Sequence, residues 1–292
     1  MHVFMKLKVG LIGASIAVFF WVSSQAQAAI NLGNIMPIGD SITLGVGSVN
    51  GYRLPLYNLL HNNGYAFTFV GNQNSNSDSS LTSIGQGQHE GISGSAIQYL
   101  GTSPGDGSKF IAPFTPSRGI IDVLPAIMGP GTFSPDYILL LIGGNDIVFD
   151  YNDDPANPAG DSSHAPARLD HLIAAISNKI TGERTNAHLI VASLTPTAIP
   201  SKNPPIQAFN AALPGIIANH QALGENVSLI DLYTPLNPAT DFADAYLHPN
   251  ATGYEKIATA FYNGIVAVPE PSMIGMMAVG ILAMLGRRRQ PD

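Results

Sequence analysis

The sequence contains a serine placed for nucleophilic chemistry, in the stretch Asn34-Ile-Met-Pro-Ile-Gly-Asp-Ser-Ile-Thr43. The apolar part predicts a short buried strand that runs directly into Gly39-Asp-Ser41. Folds of the α/β type place their active sites at the carboxyl ends of such strands. Glycine permits a tight turn there, so Ser41 projects from the first turn of the next helix, where free N–H groups favour a developing oxyanion. For this motif alone, the favoured interpretation is an ordinary turn with Ser41 as helix N-cap.

Three later stretches change that preference, because each follows a predicted strand or opens a helix. They are Gly91-Ile-Ser-Gly94, Gly143-Gly-Asn145 and Asp244…His248. Hydrolysis of an ester needs an activated nucleophile, a base held by a third group, and donors for the oxyanion. The four stretches supply a serine, a histidine, a carboxylate, an amide and glycine N–H groups. Taken singly, Asn145 is typical of a turn, and His248-Pro-Asn250 is typical of a helix start with Asn250 as N-cap.

The elements that must position these residues alternate between strand and helix. Strands are predicted at Tyr65–Val70, Tyr137–Ile142, His188–Leu194 and Val227–Leu232, after the first strand before Ser41. Helices are predicted between them, in the following stretches: Gly51–Asn63, a weak one at Ser95–Leu100, Ile120–Met128, Pro166–Ile180, Pro205–His220 and Ala251–Ile265. Alternation of this kind predicts an α/β fold, a three-layer α/β/α sandwich around a parallel sheet of about five strands in flavodoxin-like order.

Composition excludes several function classes. The 292-residue chain has a formal net charge of −7 and no basic patch except Arg287-Arg-Arg289, so nucleic acid is not an expected partner. It has no cysteine, which excludes disulfides, thiol nucleophiles and cysteine-ligated metals. The histidines are scattered, and none lies at H-x-x-x-H spacing with a carboxylate partner, so no metal site is predicted.

The two ends of the chain are predicted to be targeting segments. Residues 1–28 have a positive start, an apolar run from Val9 to Val22 and the small-residue site Ala26-Gln-Ala28, which indicate a secretory signal peptide. Residues 268–292 combine Val268-Pro-Glu-Pro271, an apolar run and the arginine cluster, the arrangement of a short membrane-inserted tail. The same order resembles the PEP-CTERM sorting signal of Gram-negative bacteria. That resemblance implies cleavage by an exosortase-type enzyme and contact with membrane only through the terminal segments.

The body between these segments, residues 29–267, is predicted to be one catalytic domain. Its blocks Gly39-Asp-Ser41, Gly94, Gly143-Gly-Asn145-Asp146 and His248-Pro-Asn250 resemble those of the SGNH (GDSL) hydrolase superfamily. Further matches resemble its acetylxylan-esterase-like carbohydrate esterase branch: Met36-Pro-Ile-Gly, Gly51-Tyr-Arg53, Phe69-Val-Gly71 and His89-Glu-Gly91. The resemblance implies a flavodoxin-like SGNH hydrolase fold, no cofactor and a Ser-His-Asp triad.

The resemblance also implies a role for each matching residue. Ser41 is the expected nucleophile and His248 the expected base, while Gly94 and Asn145 are the expected oxyanion donors. Gly91 lies in the same loop as Gly94 and is the alternative glycine donor.

The sequence departs from the family pattern at the triad acid. The pattern has aspartate three residues before the histidine, where this chain has Ala245, and Asp244 lies four before. A one-residue insertion in the turn would keep Asp244 as the acid, which is the favoured interpretation. The alternatives are Asp241, or a Ser-His dyad in which a backbone carbonyl orients His248.

The sequence is compatible with three functions. The first is a secreted or cell-surface serine esterase of a Gram-negative bacterium that removes acetyl or short acyl groups from polysaccharide or small esters. The second is a GDSL lipase or arylesterase acting on longer acyl chains. The third is a glycan-binding matrix protein with a catalytically weak site, favoured only by the displaced aspartate. Specificity is expected to depend on the polar loops around residues 72–88, 101–118 and 150–163.

Overall fold

The computed structural model describes residues 29–98, 119–129, 131–148, 162–183 and 187–268. The predicted signal peptide, the predicted sorting tail after residue 268 and much of the two later specificity loops lie outside these residues. Within the described part of the chain, no helix has both the length and the apolar composition needed to span a membrane.

A parallel sheet forms the centre of the domain. Its strands are β1 (Ile30–Gly39), β2 (Tyr65–Phe69), β3 (Glu90–Gly91), β4 (Tyr137–Leu141), β5 (His188–Ala192) and β6 (Val227–Ile230). The order is β2-β1-β4-β5-β6, with the two-residue β3 paired to the carboxyl end of β1. The predicted α/β fold, the five strands and their flavodoxin-like order are confirmed, whereas β3 was not predicted.

Helices cover both faces of this sheet. They are α1 (Ser41–Leu44), α2 (Arg53–Asn62), α3 (Ser79–Thr82), α4 (Ile120–Met128), α5 (Gly144–Val148), α6 (Ala165–Glu183), α7 (Asn203–Ala222) and α8 (Ala251–Val266). Helix α2 packs on α8, while α6 packs on both α4 and α7. Crossovers between parallel strands are right-handed, so moving from β1 to β2 and then back to β4 places the two helix groups on opposite faces.

The amphipathic patterns identify the buried faces correctly. In α6 the apolar residues Leu169, Leu172, Ile173 and Ile176 are all buried, and strand β4 is buried over Ile138–Leu141. The predicted weak helix at Ser95–Leu100 is wrong over its described part, residues 95–98. There Ala96 forms a β-bridge with Gly119, and the Ile97 N–H donates to a carboxylate oxygen of Asp146. These tertiary contacts replace the intrahelical hydrogen bonds.

The loops that carry the predicted site residues meet at one edge of the sheet because the strand order reverses beside β1. Strands β1 and β4 are neighbours, and Gly39 pairs with both Leu141 of β4 and Gly91 of β3. The carboxyl ends of these strands therefore meet at a topological switch point, where open α/β sheets bind their ligands.

Candidate active site

Ser41 lies at the carboxyl end of β1, in the first turn of α1. The Asp40 side chain is the N-cap of this helix and accepts the Ile42 N–H at 2.9 Å. Gly39 is required just before it, because a Cβ there would lie 2.1 Å from the Leu141 carbonyl oxygen. As the first residue of the helix, Ser41 keeps its own N–H outside the intrahelical hydrogen bonds. The simple interpretation of Ser41 as N-cap is wrong, since Asp40 occupies that position.

His248 reaches Ser41 from the segment that joins β6 to α8. Its Nε2 lies 2.9 Å from the Ser41 Oγ, although the two residues are 207 positions apart in the chain. Residues 242–249 of this segment form a narrow hairpin, which is closed by a bridge between Phe242 and Pro249. Asn250 then caps α8 by accepting the Gly253 N–H at 3.1 Å. The helix-start interpretation of this stretch therefore holds together with the placement of His248 beside the serine.

Asp244 contacts the other nitrogen of the same imidazole. Its Oδ2 is hydrogen-bonded to His248 Nδ1, and its Oδ1 accepts the N–H groups of Tyr246 at 2.9 Å and of His248 at 3.2 Å. Partial burial acts to raise the pKa of Asp244, but these hydrogen bonds outweigh it and leave that pKa below its usual value. The carboxylate is thus held ionised and can fix the tautomer in which Nδ1 carries a proton and Nε2 faces the serine.

The alternative acid, Asp241, is engaged elsewhere. Its buried carboxylate pairs with Lys256 Nζ at 2.6 Å and accepts the Asn237 N–H at 2.7 Å. It thereby fixes the start of the hairpin to α8. The four-residue spacing therefore does not prevent a hydrogen bond between Asp244 and His248.

The two predicted oxyanion donors, Asn145 and Gly94, lie on α5 and on the loop after β3. Asn145, in the first turn of α5, is buried, and its Nδ2 donates to the Ser95 carbonyl at 2.8 Å. Gly94 has φ +76°, a left-handed conformation that favours glycine, in a turn closed by the Ser95 N–H to Ile92 carbonyl hydrogen bond. The other glycine, Gly91, already donates its N–H to His89 Nδ1 at 2.9 Å. The N–H of Gly91 is thus engaged by His89, and the role of Gly94 as a donor stays a prediction.

Two buried carboxylates lie behind these groups. Burial raises the pKa of Asp40 to about 7, with the negative charge of Asp146 acting in the same direction. Burial also raises the pKa of Asp146 to about 6, although the Arg168 guanidinium opposes this shift through an ion pair of 3.0 Å. The Asp40 Oδ2 lies 3.5 Å from Asn145 Nδ2, so this carboxyl connects the helix that bears Ser41 to the amide of Asn145.

Sequence reasoning did not find several supporting residues. Arg168 lies on the apolar face of α6, one residue before Leu169, and a charged residue on such a face is the signal that could have indicated a buried partner. His89 has no sequence signal beyond the His89-Glu-Gly91 match, yet it is fully buried and its Nε2 contacts the Ser75 carbonyl at 2.8 Å. Burial, together with the charge of Arg53, lowers the pKa of His89 to about 4, so it is neutral near pH 7 and holds the loop.

Within the described residues, no group of three or more His, Asp or Glu side chains is arranged to hold a metal ion. The His248 imidazole contacts the Ser41 hydroxyl, the Asp244 carboxylate contacts that imidazole, and the Asn145 amide contacts Asp40, the residue next to the serine. Such an arrangement can add an activated hydroxyl to a carbonyl carbon and stabilise the resulting oxyanion.

The sequence and the fold place the chain in a known family of acylhydrolases. The chain belongs to the GDSL-like lipase/acylhydrolase family, whose sequence profile matches residues 35–261. The profile of the PEP-CTERM protein-sorting motif matches residues 267–290, which confirms the predicted resemblance at the C-terminal tail. That motif indicates an exported protein of Gram-negative bacteria, whereas the signal peptide and the domain boundaries stay predictions.

Similar proteins of known structure include carbohydrate esterases. A family 3 carbohydrate esterase of Clostridium thermocellum is 30% identical, with a TM-score of 0.58 over 81% of this chain and 98% of that one. A family 3 carbohydrate esterase from Talaromyces cellulolyticus is 19% identical, with a TM-score of 0.54 over 80% of this chain and 97% of that one, and shows the shared fold.

A curated relative is also an esterase. The multidomain esterase of Ruminococcus flavefaciens is 27% identical over 266 residues, which cover 84% of this chain. The match spans 31% of that relative's own length.

Proposed function

We propose that the protein is an exported serine esterase that removes acetyl or other short acyl groups from polysaccharide. The observation that carries this proposal is the continuous hydrogen-bonded path from Ser41 Oγ through both nitrogens of His248 to Asp244. The sugar substrate is supported by the 30% identity to a carbohydrate esterase over nearly all of that protein. Export is supported by the sorting motif, which also suggests processing by an exosortase-type partner.

Acylation of the enzyme is the first half of the proposed reaction. Ser41 Oγ attacks the ester carbonyl while its proton moves to His248 Nε2, and Asp244 stabilises the imidazolium that forms. The carbonyl oxygen becomes an oxyanion, which the Ser41 and Gly94 N–H groups and the Asn145 amide stabilise by hydrogen bonds. The tetrahedral intermediate then collapses, His248 returns the proton to the departing sugar oxygen, and the acyl group remains on Ser41.

Deacylation repeats these steps with water as the nucleophile. His248 takes a proton from the water as it attacks the acyl-serine, and the same three donors hold the second oxyanion. Collapse expels Ser41 Oγ, which recovers its proton from His248, and releases the carboxylic acid. The cycle uses one ester and one water and gives one alcohol and one acid.

Hydrolysis of defined esters by the purified protein tests this proposal. We expect acetate release from acetylated xylan, and in a p-nitrophenyl acyl series we expect the rate to be highest for acetate and lost by octanoate. Ser41→Ala should abolish both activities without unfolding the protein. A rate that rises toward octanoate would favour the GDSL lipase or arylesterase alternative. Failure of the folded protein to hydrolyse any ester would contradict the proposed function.

A further inference from the structure

The turn between Asp244 and His248 carries a solvent-exposed tyrosine, Tyr246. Within this turn Leu247 faces inward, is 3% exposed and lies close to Gly144. Tyr246 faces outward, and 52% of its surface is exposed. A tyrosine so placed lies two residues from His248 and on the solvent side of the same turn.

The backbone under this tyrosine is fixed from both sides. The Tyr246 N–H donates to Asp244, and its carbonyl accepts the Ala198 N–H at 3.0 Å and the Thr197 hydroxyl. Thr197 is itself buried, and its N–H donates to Asn203 Oδ1 at 2.9 Å. Because these hydrogen bonds already fix the backbone of Tyr246, a ligand that packs on its ring does not have to order this part of the chain.

A second exposed apolar side chain lies on a segment that packs against the same hairpin. Val49, 55% exposed, belongs to the segment that follows α1. This segment meets the hairpin at Gly47, where a Cβ would lie 2.4 Å from the Pro249 carbonyl oxygen and 3.1 Å from the Ala243 Cβ. The segment after Ser41 and the turn before His248 thus each carry an exposed side chain with apolar surface, Val49 and Tyr246.

We propose that Tyr246 is a specificity-determining residue that stacks against a sugar ring of the polysaccharide bearing the ester. The proposal rests on the proposed function, because it concerns the alcohol side of that same substrate. The C–H groups on one face of a pyranose carry partial positive charge and pack on the negative face of an aromatic ring. Small aryl esters have no sugar unit to reach Tyr246, so the residue affects capture of the polymer and not the chemical step.

Kinetics on two substrates test this role. In Tyr246→Ala, KM for acetylated xylan is expected to rise about tenfold, whereas kcat/KM for p-nitrophenyl acetate stays within about twofold. Tyr246→Trp should keep the KM of the wild type, because it retains an aromatic face. Leu223→Ala is the matched control, since Leu223 is 75% exposed but lies after α7, at the amino end of the sheet. An unchanged KM in Tyr246→Ala would overturn the proposal, as would an equal loss of activity on both substrates.

A binding experiment separates this inference from the proposed reaction. Affinity electrophoresis of Ser41→Ala protein in gels that contain acetylated xylan measures binding without turnover. Addition of Tyr246→Ala to this variant should abolish most of the retardation, and addition of Leu223→Ala should not. If the wild type hydrolyses esters but Tyr246→Ala leaves retardation unchanged, the reaction stands and the stacking role is wrong. If retardation depends on Tyr246 but no ester is hydrolysed, the stacking role stands and the reaction is wrong.

Discussion

Asp244 reaches the imidazole of His248 because its carboxylate is folded back over its own turn. The N–H groups of Tyr246 and His248 both donate to Oδ1, which leaves Oδ2 directed at Nδ1. Within the turn, Leu247 is buried and Tyr246 is exposed. Although Asp244 lies four residues before His248 and not three, its carboxylate still contacts the imidazole of that histidine.

Replacement of this carboxylate should remove most of the activity. In Asp244→Asn the amide cannot hold the imidazole in the required tautomer or stabilise the imidazolium, so we expect kcat to fall by up to about 10⁴. Steady-state hydrolysis of p-nitrophenyl acetate measures the effect. Asp241→Asn is the control, which should lower stability through its contact with Lys256 but retain kcat. Loss of kcat in Asp241→Asn alone would contradict the assignment of Asp244.

Asn145 should contribute to the transition state rather than to substrate binding. Asn145→Ala removes the amide that is positioned by the Ser95 carbonyl. Loss of one oxyanion donor should lower kcat by about 10²–10³ with little change in KM. Stopped-flow and steady-state kinetics on p-nitrophenyl acetate distinguish the two parameters. A raised KM with unchanged kcat would show that Asn145 serves only to bind the substrate.

Asp40 predicts a pH dependence of stability. Its pKa is raised from 3.8 to about 7 by burial, so between these values the folded state holds a proton that the unfolded state has lost. The contribution of this group to stability is therefore greatest at low pH and falls as pH rises through about 7. Asn is also a good N-cap, so Asp40→Asn should be more stable relative to the wild type at about pH 8 than at about pH 5. Urea unfolding at both pH values tests this, and an equal difference at both would contradict it.

At the scale of elements, the sheet could be predicted because its signal is local. The run Tyr137–Ile142 is continuously apolar, and a central parallel strand is buried on both faces. Strand β3 gives no such signal, since Glu90 and Gly91 join the sheet only through pairing with β1. The prediction of a helix over residues 95–98 was wrong for a related reason. The backbone there is held by a hydrogen bond to Asp146 and by a β-bridge to Gly119. Contacts of this long range cannot be read from local pattern.

The ion pair between Asp146 of α5 and Arg168 of α6 should be important for stability. The Asp146–Arg168 pair is buried, with side-chain exposures of 0% and 4%. Arg168→Met leaves a buried carboxylate without its cation, which should lower the free energy of unfolding by about 3–5 kcal/mol at neutral to high pH. Without the arginine the pKa of Asp146 rises further, so the cost should decrease at about pH 5, where the carboxyl is protonated.

A double variant provides the control for this effect. Asp146→Asn in the Arg168→Met background removes the unpaired charge and should recover part of the lost stability, as measured by urea unfolding. The cost of Arg168→Met would be wrongly assigned if it were the same at both pH values and unaffected by the second substitution.

At the scale of the whole molecule, the site is assembled from distant parts of the chain by strand order. Ser41 follows β1, Asn145 follows β4, and His248 precedes α8, so three separate connections meet at one edge of the sheet. The motifs and the alternation of elements predict this arrangement from sequence, and the contact between Ser41 and His248 agrees with it, while the catalytic roles stay predictions. They could not predict the Asp40 cap, the buried Arg168 or the outward ring of Tyr246, because each depends on neighbours that are distant in sequence or on the shape of a turn.

We propose that Ser41 is a nucleophile activated by His248. The most direct measurement is covalent labelling of the purified protein with a serine-directed p-nitrophenyl phosphonate, followed by mass spectrometry of its peptides. We predict a single adduct on Ser41, absent in Ser41→Ala and formed far more slowly in His248→Asn. No adduct on the folded wild-type protein, or an adduct on another residue, would contradict the claim.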